Sequence, residues 1–236
     1  MGEPGKTFGR VAKTYARTRP RYPRAAIDRA ARELELDGAS RVLDLGAGTG
    51  NLTRSLREVF ARVVAVEPDD QMRAQFDGDV LDGRAEAIPL ADDAVEATFT
   101  GEAFHWFDPG PALAEIRRVG RGLAVLNRSW GIGEQPDLLP RPFVDDLDAV
   151  WERFHGPRHI DSFPDWRGAI DPDGEARFVD RVPMTGRDLV DLHMTGSTLA
   201  SIPADERAAV AERAYPLMEP AYELRVVTTL YWKRFT

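Results

Sequence analysis

Three alternate glycines after a short apolar run constrain this sequence more than any other feature. Gly46, Gly48 and Gly50 follow the apolar run at residues 41–45, and apolar residues then recur at helical spacing over 52–60. Glycine adopts backbone conformations that a side chain forbids, and it lets a ligand approach the main chain closely. The pattern therefore predicts a strand, a tight turn and a helix, with a ligand at the turn.

The alternation of strand and helix continues downstream of this unit. The next predicted elements are strands at 62–67, 80–81, 95–100 and 123–126, and helices at 68–76 and 109–119. Apolar strands that alternate with helices favour a mostly parallel sheet with helices on both faces. The expected fold class is α/β, with a doubly wound, Rossmann-like sheet.

The pattern becomes irregular after residue 128, where glycines and prolines are frequent. The predicted elements are helices at 143–154, 187–199 and 204–217, a loop at 156–174, and strands around 176–182 and 224–232. A chain of 236 residues is long enough for one well-buried core. We therefore expect a single domain over residues 1–236.

Composition argues against several classes of protein. The net charge of −8 disfavours a nucleic-acid partner or an anionic membrane surface. The sequence has no apolar run of membrane-spanning length and no apolar signal core, so a cytoplasmic protein is expected. The absence of cysteine excludes disulfides, thiolate metal ligands and a cysteine nucleophile, and the histidines do not follow a metal-binding spacing. No metal is expected.

Residues 1–24 depart from this acidic balance. They hold seven arginines and lysines against one glutamate. One interpretation is a solvated basic arm, and the other is a lid that carries cations towards an anionic ligand.

Acidic residues flank the glycines at positions that discriminate between ligands. The dinucleotide fingerprint is G-x-G-x-x-G, whereas the spacing here is G-x-G-x-G. Asp44 disfavours a pyrophosphate at the turn and suits a cationic ligand. Glu67, at the end of the second strand, is placed to accept hydrogen bonds from ribose hydroxyls, as in both NAD and adenosyl sites. Glu86 either binds an adenine amino group or is an exposed loop residue.

Residues 42–53, 66–69 and 103–108 resemble the class I S-adenosylmethionine-dependent methyltransferases. The Phe-His-Trp-Phe-Asp segment within 103–108, together with residues 14–23 and 229–234, is similar to the small-molecule branch that includes trans-aconitate methyltransferase-like proteins. The resemblance covers most of the chain. It implies a seven-stranded sheet with S-adenosyl-L-methionine across the carboxyl ends of strands one, two and four, and S-adenosyl-L-homocysteine as product.

The resemblance also implies a set of cofactor-binding residues. They are Tyr15, Arg19, Asp44, Gly46, Ala47, Gly48, Gly50, Asn51, Glu67, Pro68, Met72, Ala85, Glu86, Glu102 and Ala103. Arg19 is a partner for the cofactor carboxylate, whereas Glu102 stands where many relatives have a small or amide residue. Residues 1–24 are interpreted as an N-terminal lid, and 129–170 and 187–217 as helical inserts that cap the substrate pocket.

Tyr22, His105, Trp106 and Trp130 are expected to line the pocket for the methyl acceptor. Transfer from a sulfonium mainly requires orientation and exclusion of water. His105 is a candidate base that is needed only for a hydroxyl or a protonated nitrogen, and its other interpretation is a packed residue among aromatic rings. The basic N-terminal segment favours a carboxylate-bearing small-molecule acceptor.

Two other functions fit part of the pattern. An NAD(P)-dependent oxidoreductase uses a similar sheet with an acidic residue after its second strand. A methyltransferase-like protein that binds its ligand without turnover would have the same cofactor motifs. A monomer and a homodimer are both compatible with the sequence.

Overall fold

The computed structural model describes residues 11–130, 134–155 and 166–235. Residues 1–10 of the predicted lid, and residues 131–133 and 156–165 of the first predicted insert, therefore lie outside the described residues. Within the described residues, no helix is both long enough and apolar enough to cross a membrane.

Strands and helices alternate through the first half of the chain, as predicted. The strands are β1 (Arg41–Leu45), β2 (Arg62–Glu67), β3 (Leu81–Asp82), β4 (Ala97–Gly101), β5 (Gly122–Ser129), β6 (Gly174–Thr185) and β7 (Ala221–Arg234). The helices are α1 (Ala12–Thr18), α2 (Arg24–Glu33), α3 (Asn51–Leu56), α4 (Asp70–Arg73), α5 (Pro109–Val119), α6 (Arg141–His155), α7 (Trp166–Ile170), α8 (Gly186–Met194), α9 (Ser197–Ser201) and α10 (Ala204–Ala214).

The seven strands form one sheet in the order β3-β2-β1-β4-β5-β7-β6. β1 pairs in parallel with β2 on one side and with β4 on the other, and β4 pairs in parallel with β5. The strand order reverses at β1, and in open α/β sheets ligands bind at the carboxyl ends of the strands at such a switch point. The predicted α/β fold with a seven-stranded sheet is confirmed.

Apolar side chains cover both faces of the sheet. Val42 packs in one core cluster with residues of α2 and α3, whereas the adjacent Leu43 packs in a second cluster with residues of α5. Successive side chains of a strand point to opposite faces, so the two clusters are the two layers of the core. Asp44 is in phase with Val42 and therefore faces α3.

Two compact units can be distinguished. The sheet unit comprises residues 21–128, 163–178 and 228–236, and the helical unit comprises residues 1–20, 129–162 and 179–227. The helical unit has its own apolar core, which includes Phe143 of α6 and Leu189 of α8. The expectation of a single domain stays a prediction.

Several predicted elements differ from the structure. The helix predicted to reach residue 60 ends at Leu56, since the chain then tightens into turns in which Val59 N donates to Leu56 O. The helix predicted at 68–76 covers only α4 for the same reason, because Gln75 N donates to Met72 O. The stretch predicted as a loop at 156–174 contains α7, whose Trp166 is buried against Phe104.

The helix predicted at 187–199 is two helices. α8 ends at Met194 and α9 begins at Ser197, because Gly196 has extended backbone angles that interrupt the helix. Helices α1 and α2 were not predicted. The buried face of α2 consists largely of alanines, which give a weak apolar period in the sequence.

Candidate functional site

The glycine loop connects β1 to α3 at the carboxyl edge of the sheet. Gly46 has a φ of 72°, and the N–H groups of Gly46 and Ala47 both donate to Val66 O on β2, at 2.9 and 3.0 Å. A Cβ atom on Gly46 would lie 2.7 Å from the Cβ of Ala103. Both the positive φ and the close approach require glycine here, so the loop is held tightly against the ends of β2 and β4.

Asp44 is a buried carboxyl group directly before this loop. Its side chain is fully buried, and the Thr53 hydroxyl on α3 donates to Oδ2. The buried Oδ1 atom has no hydrogen-bond partner among the described residues. Burial raises the pKa of Asp44 to about 7, and the nearby Glu67 carboxylate raises it further, whereas the Thr53 bond opposes the shift. The site therefore holds a buried acceptor atom that can receive a ligand.

Glu67 ends β2 and supports the loop from the other side. Gly48 N donates to Oε2 at 2.8 Å, and Asp69 N donates to Oε1 at 2.9 Å. Burial raises the pKa of Glu67 to about 7, an effect opposed by these two N–H groups and by Arg73. Each oxygen keeps a second lone pair. The carboxyl group is thus fixed in orientation and can still accept bonds from hydroxyl groups of a ligand.

The residues after Glu67 determine where α4 begins. Pro68 is followed by Asp69, which caps the helix by accepting bonds from the N–H groups of Gln71 and Met72. The Met72 side chain is buried, and its Cε would lie 3.2 Å from a Cβ atom on Gly48. This places Met72 beside the glycine loop.

Glu86 and Ala85 lie after β3, on the rim of the same edge. Ala85 is buried, and the Glu86 Oε1 accepts a hydrogen bond from Asp108 N at 3.0 Å. Asp108 is the residue that precedes α5. This bond connects the loop after β3 to the start of α5, and Glu86 is partly buried there. Its predicted contact with an adenine stays a prediction.

Glu102 follows β4 in a conformation that is uncommon for a residue with a side chain. Its φ is +56°, and its Oε1 accepts a hydrogen bond from the backbone N–H of Arg128. Non-glycine residues in the left-handed region cost free energy and are frequent at functional sites. The bond to Arg128 stabilises the strained turn that carries the chain to Ala103 and His105.

His105 lies in a short 3₁₀ helix over Phe104–Trp106. Its ring centroid is 5.0 Å from the Trp106 ring. Burial lowers the pKa of His105, and the negative charge of Glu102 opposes that shift. A lowered pKa keeps the imidazole neutral at pH 7, which is the form required of a base. Phe104 is completely buried and packs against Phe107, so this aromatic residue belongs to the core.

Three of the predicted site residues lie in the helical unit. The Arg19 guanidinium lies 4.5 Å from the Tyr15 ring centroid and 4.7 Å from that of Trp130. It also donates to the Thr195 hydroxyl and to the Thr195 carbonyl oxygen, at 3.2 and 3.0 Å. Arg19 thus has a defined role inside this unit, where it joins Tyr15 and Trp130 to the end of α8. Its predicted contact with a cofactor carboxylate stays a prediction.

The sheet unit brings together most of the predicted cofactor residues. Those on the β1, β2 and β4 ends are Asp44, Gly46, Ala47, Gly48, Gly50, Asn51, Glu67, Pro68, Met72, Glu102 and Ala103. The sequence interpretation missed Thr53, which binds Asp44, and Arg128, which is buried beside Glu102 and Tyr22. Thr53 could have been predicted, because it places a hydroxyl group beside the apolar residues of the helix predicted after the glycine loop.

Comparisons with known proteins find similarity to methyltransferases. Residues 43–125 match the profile of the methyltransferase domain family. An uncharacterized methyltransferase of Mycobacterium tuberculosis is 43% identical over 134 residues, which cover 55% of this chain and 54% of that protein. A malonyl-[acyl-carrier protein] O-methyltransferase of Yersinia pestis is 33% identical over 128 residues, 52% of this chain and 45% of that protein. The chain thus spans about half the length of these curated relatives.

A solved structure gives a match over nearly the whole chain. It is that of a proposed type II methyltransferase from Anaeromyxobacter dehalogenans, with 27% identity and a TM-score of 0.58, and the match covers 92% of this chain and 97% of that one. The reversed strand order around β1 and the glycine loop between two buried carboxyl groups fit the class I methyltransferase fold that the sequence resembles. Residues 43–125 therefore contain a methyltransferase domain, and the fold of the chain is similar to that of this solved methyltransferase.

Proposed function

We infer that this protein transfers a methyl group from S-adenosyl-L-methionine to a small-molecule acceptor. The observation that carries the inference is the pair of buried carboxyl groups, Asp44 and Glu67, on either side of the glycine loop. Oδ1 of Asp44 is a buried acceptor atom with no partner among the described residues. A cationic ligand with vicinal hydroxyls matches both carboxyl groups better than a pyrophosphate does.

The residues of the sheet unit fit this cofactor. Glu67 would accept hydrogen bonds from the ribose hydroxyls, since both of its oxygens are already oriented by backbone N–H groups. Asp44 would face the positively charged methionyl part, and Ala85 and Glu86 would meet the adenine. When bound, S-adenosyl-L-methionine supplies a methyl group that is activated by its sulfonium charge.

In the proposed transfer the acceptor would form a bond to the methyl carbon, and the carbon–sulfur bond of the cofactor would break with its electron pair left on the sulfur. A hydroxyl or protonated nitrogen must also lose a proton, which the neutral imidazole of His105 is suited to accept. A carboxylate oxygen carries no proton and needs no base. A malonyl group ends in a carboxylate, so the name of the Yersinia pestis relative supports a carboxylate-bearing acceptor.

Calorimetric titration with S-adenosyl-L-homocysteine tests the proposed site. Asp44→Ala and Glu67→Ala should each weaken binding at least 10-fold, because each removes a buried hydrogen-bonding group. Asp82→Asn changes an exposed carboxylate of the sheet unit and should bind as the wild type does. Unaltered affinity in both alanine variants, or NADH binding of comparable strength, would overturn the proposal.

A further inference from the structure

Arg128 is a buried cation at the carboxyl end of β5. Only 7% of its surface is exposed, and among the buried polar side chains of the described residues it is the only arginine or lysine. Taking a guanidinium out of water is costly unless specific groups surround it. The position of Arg128 is therefore set by its neighbours.

Those neighbours hold the residue at both its backbone and its side chain. The Arg128 guanidinium stacks on the Tyr22 ring at 3.9 Å from the centroid, and Glu102 accepts a bond from the Arg128 backbone N–H. Tyr22 can occupy this place because residue 101 is glycine. A Cβ atom there would lie 2.4 Å from the Tyr22 hydroxyl oxygen. The guanidinium is thus held against a buried aromatic ring.

Charge is distributed unequally along the carboxyl edge of the sheet. The buried carboxyl groups Asp44, Glu67 and Asp69 lie at or just after the carboxyl ends of β1 and β2, whereas Arg128 lies at the carboxyl end of β5. β4 lies between β1 and β5, and adjacent strands are about 4.8 Å apart, so Arg128 stands roughly 10 Å from β1 along the edge. Glu102, after β4, lies between these groups, and it is bonded to the backbone N–H of Arg128. The buried guanidinium makes the end of β5 the place on this edge that favours an anionic group.

We propose that Arg128 recognises a carboxylate of the methyl acceptor. A planar guanidinium can bind a carboxylate with two parallel hydrogen bonds, and contact with the Tyr22 ring restricts the movement of this one. This inference rests on the proposed function, since it places the acceptor beside the cofactor. It makes Arg128 the residue that selects an acid over a neutral analogue.

Two of the N-terminal cations that first suggested an anionic ligand have other partners. Arg17 forms ion pairs with Asp188 and Asp191 on α8. Arg21 is exposed and pairs with Glu58 at 2.7 Å. Their charges are balanced locally, so these two cations do not support recognition of an anionic acceptor.

The test uses the full chain saturated with S-adenosyl-L-homocysteine. The probes are trans-aconitate and malonyl-N-acetylcysteamine. The affinity for each acid is compared by calorimetry with the affinity for the ester in which every carboxylate of that acid is methylated. The wild type should bind at least one acid 10-fold or more tighter than its ester. Arg128→Gln should weaken binding of that acid by about 10- to 100-fold, and should change the affinities for the ester and for S-adenosyl-L-homocysteine less than threefold.

Two further variants control the experiment. Arg128→Lys keeps the charge but lacks the planar fork, so it should bind the acid about three- to tenfold more weakly than the wild type. If Arg128→Gln does not fold, the affinity of Arg128→Lys for the acid tests the proposal by itself. Arg121→Gln changes an exposed arginine just before β5 and should have no effect.

Several outcomes would overturn the proposal. The proposal fails if the wild type binds neither acid more tightly than its ester. It also fails if Arg128→Gln keeps the preference for the acid over the ester, or if Arg128→Lys binds the acid as tightly as the wild type does. A wild type that does not bind S-adenosyl-L-homocysteine would instead overturn the proposed function itself.

Discussion

The two oxygens of the Asp44 carboxyl group have different surroundings. Oδ2 accepts a bond from Thr53, whereas Oδ1 is buried with no partner among the described residues. Leaving a buried polar atom unpaired destabilises a folded protein. Such an arrangement is typical of binding sites, in which a ligand completes the missing bond.

Asp44→Asn should stabilise the ligand-free protein, and more so at pH 8 than at pH 5. The pKa of Asp44 is about 7 in the folded protein against an ordinary value of 3.8, so the folded state holds a proton that the unfolded chain releases. The contribution of Asp44 to stability therefore falls as the pH rises from about 4 to 7. Urea unfolding at both pH values should show a stabilisation by the variant that is roughly 2–3 kcal/mol larger at pH 8.

Thr53→Val should have two effects that act through Asp44. It removes the bond to Oδ2, so we expect a loss of about 1–2 kcal/mol in unfolding free energy. Because that bond favours the ionised carboxylate, its loss should also raise the pKa of Asp44 and weaken cofactor binding more at pH 7 than at pH 8.5. Calorimetry at the two pH values measures the second effect.

Thr98→Val is the matched control for this variant. Thr98 is completely buried on β4, and its hydroxyl has no hydrogen-bond partner among the described residues. Replacing an unpaired hydroxyl by a methyl group should leave stability unchanged or raise it. Equal losses of cofactor affinity in both valine variants would contradict the role assigned to Thr53.

At the scale of the residue, the sequence predicted Asp44 and Glu67 because their spacing from the glycines fixes them at strand ends. The same reasoning could not find Arg128. The role proposed for it rests on its burial and on its contact with the Tyr22 ring, which is more than 100 positions away in the chain. Contacts between distant segments leave no periodic pattern in a sequence.

At the scale of secondary-structure elements, the junction of β1, the glycine loop and α3 is fixed by its contact with the end of β4. Gly46→Ala would place a methyl group 2.7 Å from the Ala103 Cβ at a φ of 72°. We expect a loss of about 1–3 kcal/mol in unfolding free energy and at least a tenfold loss of cofactor affinity, measured by urea unfolding and calorimetry.

Gly110→Ala serves as the control for that substitution. Gly110 is exposed near the start of α5, and a Cβ atom there would be 4.0 Å from its nearest neighbour, Asp108 Oδ1. Alanine should be tolerated or should stabilise the helix by up to about 1 kcal/mol. An equal loss of cofactor affinity in this control would contradict the role assigned to Gly46.

The success of element prediction depended on local signals. α5 has the predicted bounds, 109–119, because a proline opens it, apolar residues recur along one face, and a glycine follows it. The predicted helices that correspond to α3 and α4 were too long, because an apolar pattern continues through the turns that follow each helix. Periodicity records which residues face the core, and it does not record where a helix tightens into turns.

At the scale of the whole molecule, the sheet depends on segments that are far apart in the sequence. β7, the last strand of the chain, lies between β5 and β6 in the strand order. Residues Leu230 and Trp232 of β7 also belong to a core cluster with α2 and β1. The first half of the chain therefore contains the candidate cofactor site but not all of the core that supports it.

A chain truncated after residue 220 should fail to unfold cooperatively in urea. The truncation removes β7, leaves β5 with an unpaired edge, and opens the core cluster that holds Trp232. Removal of residues 235–236 alone keeps the strand and should give a cooperative transition. A truncated chain that unfolds like the wild type would show that the sheet does not need β7.

The buried carboxyl group of Asp44 also contributes to the net charge of the ligand-free site. With a pKa of about 7, the group is about half protonated in the ligand-free protein at neutral pH. Uptake of a sulfonium ligand would favour the ionised form and release part of a proton to the buffer. The heat of binding should therefore vary with the ionisation enthalpy of the buffer.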